Sequence, residues 1–156
     1  MKKVMLVLSI SGTPQEVIDY AVGRAKKEGA GLLALYILEM GLSDSVFDNF
    51  SDIGFIGDKP STELSEAVMK EYRQRGYEEI GRVQIKAMEE AVDFEPLMEQ
   101  GEYVAKVLDV VREREIGVVV VLRRQKRRFL KYLSSSVADE VKSQAPCEVV
   151  IFTETD

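Results

Sequence analysis

The residues best equipped for chemistry lie late in the chain. Arg123, Arg124, Lys126, Arg127, Arg128 and Lys131 put six cations into one short segment. Ser134, Ser135 and Ser136 follow, directly before Val137-Ala138-Asp139-Glu140-Val141, which reads as the start of a helix. Upstream, Val118-Val119-Val120-Val121-Leu122 is an apolar, mostly β-branched run that suits a strand buried on both faces. Strand, cationic loop and helix N-terminus form the arrangement in which open α/β sheets hold ligands. Free N–H groups and the helix dipole favour an anion there. The chemistry indicated is anion binding, by Arg and Lys side chains such as Arg124 and Lys126 together with the hydroxyls of Ser135 and Ser136. The same cations read also as a solvated loop that offsets an acidic remainder. Phe129 and Tyr132 can stack on a base, or pack with Leu130 and Leu133 onto the sheet or a partner.

Catalysis has less to work with. The chain contains no His, the commonest general base and metal ligand, so no metal site is expected. Its one Cys cannot form an intrachain disulfide and fits a reducing compartment. Cys147 opens an apolar run and reads as a small core residue, since no His can activate it. The acids form no recognisable metal or acid/base spacing. The expectation is therefore a protein that is not an enzyme, with weak ATPase activity as the most that the loop allows.

At 156 residues the chain reads as a single domain, 1–156. A net charge of -6 argues against nucleic acid or an anionic membrane as a general partner. No apolar run is long enough to span a bilayer. Met1-Lys2-Lys3 and Val4 to Leu8 loosely imitate a signal peptide, but Thr13-Pro14-Gln15-Glu16 stands where a cleavage site belongs, so a cytoplasmic location is expected.

The elements that must position the cationic segment follow from periodicity. Lys3 to Ser9 is a first strand. Thr13-x-x-Glu16 predicts a capping box with Pro14 at the first helical position, and Val17, Ile18, Ala21, Val22 and Ala25 give the helix its apolar stripe up to Gly29. Leu32 to Leu38 is the second strand, parallel to the first. Met40 to Pro60, with Phe47, Phe50, Phe55 and Ile56, reads as a long loop. Ser61 to about Glu90 is helical, with Leu64, Val68, Tyr72, Ile80, Val83 and Met88 inward and a break or kink expected near Gly76 and Gly81. Val92 to Gln100 is a strand in which Pro96 argues for an edge or a bulge. Glu102 to Glu115 is helical, strand four and a basic loop over 123–133 follow, and Ser136 to Gln144 is the last helix. Cys147 to Phe152 is strand five. The class is an α/β, doubly wound open sheet of five mainly parallel strands with helices on both faces.

That order resembles the universal stress protein family. Val4-Met5-Leu6-Val7-Leu8-Ser9-Ile10-Ser11 falls where the family's first strand ends in Asp-Gly-Ser or Asp-Leu-Ser. Leu35-Tyr36-Ile37-Leu38-Glu39 is similar to its second strand. Ser136-Val137-Ala138-Asp139-Glu140-Val141 and Ala145-Pro146-Cys147-Glu148-Val149-Val150 are similar to its closing segment.

The resemblance implies a stress-response or regulatory role and a homodimer, with strand five, Glu148, Val149, Val150, Ile151, Phe152 and Thr153, pairing antiparallel with its copy. An unidentified protein partner fits the same role. The nucleotide-binding members carry Gly-x2-Gly-x9-Gly-(Ser/Thr). Here those positions are Leu122, Gln125, Ser135 and Ser136, the family's strand-one Asp is Ser9, and the backbone that meets adenine falls near Ile37. Glycines let the main chain approach phosphate, whereas Leu122 and Gln125 bring bulk into that space. The chain thus resembles the branch that does not bind ATP, so no cofactor is expected. The alternative is ATP or AMP held by arginine and lysine side chains.

Overall fold

The computed structural model describes residues 2–10, 12–39, 62–125 and 136–155, with the backbone alone at 62–65, 124, 125, 136, 154 and 155. The strands are β1 (Lys3–Val7), β2 (Leu32–Glu39), β3 (Phe94–Gly101), β4 (Ile116–Gln125) and β5 (Glu148–Thr155). The helices are α1 (Gln15–Glu28), α2 (Thr62–Glu89), α3 (Tyr103–Glu113) and α4 (Ser136–Gln144). The strands form one sheet in the order β3-β2-β1-β4-β5, and every neighbouring pair is parallel.

Apolar residues run nearly unbroken along β1, β2 and β4 because both faces of the sheet are covered. Alternate side chains serve opposite faces. Val4, Leu6, Ala34, Tyr36, Val118 and Val120 pack under α1 and α2. Met5, Val7, Leu33, Leu35, Val119 and Val121 pack under α3 and α4. The doubly wound class expected from the sequence is the one observed.

Several local expectations need correction. Thr13 does not cap α1, since Pro14 takes the N-cap position and makes no side-chain cap bond. Thr13 is drawn inward instead, its N–H donating to Glu79 of α2 at 2.6 Å. At the far end Gly29 has φ 64°, Gly29 N–H bonds Lys26 O at 3.2 Å and Ala30 N–H bonds Ala25 O at 2.9 Å, the bond pair of a Schellman stop.

α2 runs without a break through Gly76 and Gly81. A Cβ at Gly76 would lie 2.6 Å from Met98 Cε and 2.7 Å from Tyr36 Cδ1, so glycine there lets the helix sit against the sheet. Met88, expected inward, is 71% exposed, and Ala87 takes the buried place. A strict register is hard to hold over a helix this long. Pro96 does lie on an edge strand. The basic segment is not loop from its start, because Arg123, Arg124 and Gln125 continue β4 by pairing with Thr153, Glu154 and Thr155. Cys147 precedes β5, is half-buried rather than core, and has its thiol pKa raised by desolvation. The expected loop at Met40 to Pro60 and the cations from Lys126 to Lys131 lie outside the described residues.

Candidate functional site

β1, β2 and β3 are laid down in one direction across the sheet, and β4 and β5 in the other. The switch falls between β1 and β4, and a crevice opens there beyond the carboxyl ends of parallel strands. It is a cleft of about 250 Å³ lined by Val7, Leu8, Ser9 and Ile10 after β1, Ile37 and Glu39 of β2, Leu122 and Arg123 of β4, Tyr103 of α3, and Val137 and Ala138 of α4.

Three residues named from sequence meet here, namely Ser9, Ile37 and Leu122. Leu122 narrows the crevice without shutting it. Arg124 and Gln125 are placed at the end of β4 and Ser136 at the start of α4 by backbone alone, while Lys126 and Ser135 lie outside the described residues.

Ser9 is held from behind. Its N–H donates to Thr13 Oγ1 at 3.0 Å. Thr13, 2% exposed, is gripped in turn by Glu79 through its N–H and by Arg82 through its carbonyl at 2.8 Å. Arg82 also donates to Glu79 Oε2 at 2.8 Å and to Gln15 Oε1 at 3.2 Å. A buried carboxylate is costly unless hydrogen-bonded, and Glu79 is matched by a backbone donor and a guanidinium. The turn that carries Ser9 and Ile10 to the cleft is thus fixed by α2. Sequence reasoning passed over Glu79, although an acid between Gly76 and Val83 on the inward stripe of a helix was a usable signal.

Sequence reasoning named Arg124, whose side chain lies outside the described residues, and left out its neighbour Arg123. Arg123 lines the cleft, and its guanidinium is shared between two neighbours. Nη1 reaches Asp139 Oδ1 at 3.1 Å and Oδ2 at 3.3 Å, and Nη2 reaches Thr153 Oγ1 at 3.2 Å. Asp139 lies in the first turn of α4, where the helix dipole favours an acid.

The opposite wall carries Glu39 and Tyr103. Desolvation is the main cause that raises the Glu39 carboxyl pKa, with the Glu102 carboxylate adding to it. Burial chiefly, and Glu39 in addition, raise the Tyr103 hydroxyl, which stays neutral. Glu102 itself caps α3, accepting from Ala105 N–H at 2.7 Å and Val104 N–H at 3.3 Å. Deeper in the sheet the Tyr36 hydroxyl has no hydrogen-bond partner among the described residues, and desolvation pushes its pKa up to about 12. No group of three or more His, Cys, Asp or Glu residues able to hold a metal ion occurs among the described residues. No helix among them is long and apolar enough to cross a membrane.

A five-stranded parallel sheet with its crevice at the β1/β4 switch defines an open, doubly wound α/β domain. Within that class, the model of the Universal stress protein family matches residues 1–153, and the chain belongs to that family. Its fold is similar to a universal stress protein family member from Burkholderia pseudomallei, with a TM-score of 0.67, 18% identity, and coverage of 96% of this chain and 95% of that one. It is also similar to the universal stress protein from Archaeoglobus fulgidus in complex with dAMP, with a TM-score of 0.60, 16% identity and 97% of each chain covered. A third similar structure is a universal stress protein family protein from Arabidopsis thaliana with AMP bound, with a TM-score of 0.60, 13% identity, and 99% of this chain and 92% of that one covered. No curated protein sequence matches the chain.

Proposed function

We propose that this chain is a non-enzymatic stress-response or regulatory module, a single cytoplasmic domain over 1–156 that acts as a homodimer and does not take ATP through a glycine loop. The observation that carries the reading is Leu122, which lines the cleft at the position where the nucleotide-binding pattern has its first glycine. Its side chain narrows the space into which a main-chain phosphate cradle would open. The remaining volume of about 250 Å³ is small beside the roughly 300–1,000 Å³ of ordinary ligand pockets. Arg123, the cation on the lining, is engaged by Asp139. For the dimer, support comes from β5, whose outer edge carries no other strand among the described residues.

A second reading is favoured by the similar structures that hold dAMP and AMP. In it the chain is a nucleotide sensor or weak ATPase, with Arg124, Lys126, Ser135 and Ser136 on the phosphates. Native mass spectrometry of freshly purified protein, followed by calorimetric titration with ATP and AMP, separates the two. No co-purified nucleotide, and dissociation constants weaker than about 100 µM, are expected. A retained adenine nucleotide, or tighter binding, selects the second reading.

A further inference from the structure

The Arg123 side chain is the meeting point of three elements. It leaves the end of β4, lines the cleft, and is held by Asp139 of α4 and Thr153 of β5. We propose that Asp139 is a specificity-determining residue of the cleft. By holding Arg123 it disfavours ligands with a polyphosphate tail and biases the site toward a small, mainly apolar ligand carrying at most one negative charge. The inference rests on the reading that the crevice is a binding site from which ATP is turned away.

The physical case has three parts. Asp139 offers both carboxylate oxygens to one guanidinium nitrogen, at 3.1 and 3.3 Å, so an incoming phosphate must compete for a cation already satisfied. Its fixed negative charge stands in the first turn of α4, where an anionic ligand would otherwise gain from the helix dipole. At Asp139 a polyanion therefore meets repulsion where a bare helix N-terminus would attract it. Across the cleft stands Glu39, a second carboxyl whose ionisation adds to that repulsion. The remaining walls, Val7, Ile37, Leu122 and Val137, offer apolar surface, which favours a ligand body of low charge. The Asp139 side chain is 47% exposed, so its hold on Arg123 is a modest bias that one substitution can reverse.

The test uses the full chain and ligand-detected NMR titration with ATP and with adenosine. Asp139→Asn keeps the shape and removes the charge, and Asp139→Glu keeps the charge. The expected result is a gain of about five- to tenfold in ATP affinity for Asp139→Asn, on the scale of one freed ion pair plus the lost repulsion. Adenosine affinity should stay within about twofold, Asp139→Glu should behave as the parent, and Arg123→Gln combined with Asp139→Asn should lose the gain. Circular dichroism confirms that each variant is folded. An unchanged ATP affinity in Asp139→Asn, or equal gains for ATP and adenosine, overturns the assignment. Tight ATP binding by the parent chain is a different outcome, which removes the underlying reading before Asp139 is altered.

Discussion

The two edges of the sheet are finished in different ways. On the β3 edge, Pro96 denies an approaching strand one N–H donor, and Glu95 is tied to Lys3 at 2.7 Å and to Arg114. α2 closes tightly over this side through the Gly76 contact with Tyr36 and Met98. The β5 edge has no proline, and no charged residue between Val149 and Thr153. Val149, Val150, Ile151 and Phe152 are consecutive, apolar and half-buried, two facing each side of the sheet. α1 covers the Val150 and Phe152 side, where Tyr20 meets the Phe152 ring edge-on at 5.1 Å and Arg24 pairs with Glu148 at 2.6 Å, while Val149 and Ile151 pack on the α3 and α4 side. One edge is blunted against pairing. The other is left ready for it, which is the physical basis for placing a second copy at β5.

The strongest way to break this contrast is proline on β5. Adjacent residues of a strand send their N–H groups to opposite sides, so Val149→Pro and Val150→Pro must differ. One loses a bond to β4 and destabilises the fold by about 1–3 kcal/mol. The other loses only an outward donor and should stay folded while the assembly falls from twice 17.5 kDa to the single-chain mass in light scattering. If both variants keep the parent's oligomeric mass, the β5 interface is wrong. Pro96→Val on the opposite edge should leave the parent mass unchanged or add slow association beyond the dimer.

A pair of glycines sharpens the comparison on the β3 side. Gly76→Ala forces a Cβ against Tyr36 and Met98 and should cost about 1–3 kcal/mol in denaturant unfolding, unless the flexible Met98 end swings aside. Gly81 has nothing within 4 Å of an added Cβ, so Gly81→Ala should stabilise by roughly 0.5–1 kcal/mol through helix propensity alone. Equal effects at the two positions would mean that the tight closure of α2 on this side contributes nothing.

The sheet was the more legible half of this protein. Strands buried on both faces write their own signal as unbroken apolar runs, and alternation of strand and helix then leaves a parallel, right-handed winding as the natural solution. Pro96 announced its edge because a missing donor is a local fact. The misreadings share one cause, which is that the deciding partner lies far away in sequence. Thr13 and Glu16 have the spacing of a capping box, yet Thr13 answers to Glu79, 66 positions on. Arg123 belongs to β4 only because β5 continues to pair beside it, and its engagement with Asp139 and Thr153 has no signature in spacing. Gly76 looks like a helix breaker until Tyr36 is placed beneath it. The candidate site was half legible for the same reason. Ser9, Ile37 and Leu122 lie near the carboxyl ends of strands and could be placed, whereas Glu79 and Asp139 act through tertiary contacts.

The finest probe of the contrast is pH, because a carboxyl on each half of the sheet responds with opposite sign. Glu148, at the β5 end, has its pKa lowered, first by its hydrogen bond to Arg24. Its contribution is present above the carboxyl's unfolded value near 4.3 and is lost as pH falls through the lower folded value. Glu39, at the end of β2, has its pKa raised, first by desolvation. There the folded state favours the protonated form, and stability is lost as pH rises from the unfolded value through the folded one. Arg24→Gln should therefore lower the melting temperature at pH 5 and 7, where Glu148 is ionised and paired, and cost less at pH 3. Glu39→Gln should raise the melting temperature at pH 7 and leave it unchanged near pH 3. Melting curves at pH 3, 5 and 7 read both effects. A Glu39→Gln gain that is as large at pH 3 as at pH 7 would show that packing, and not the charge, is what the substitution changes.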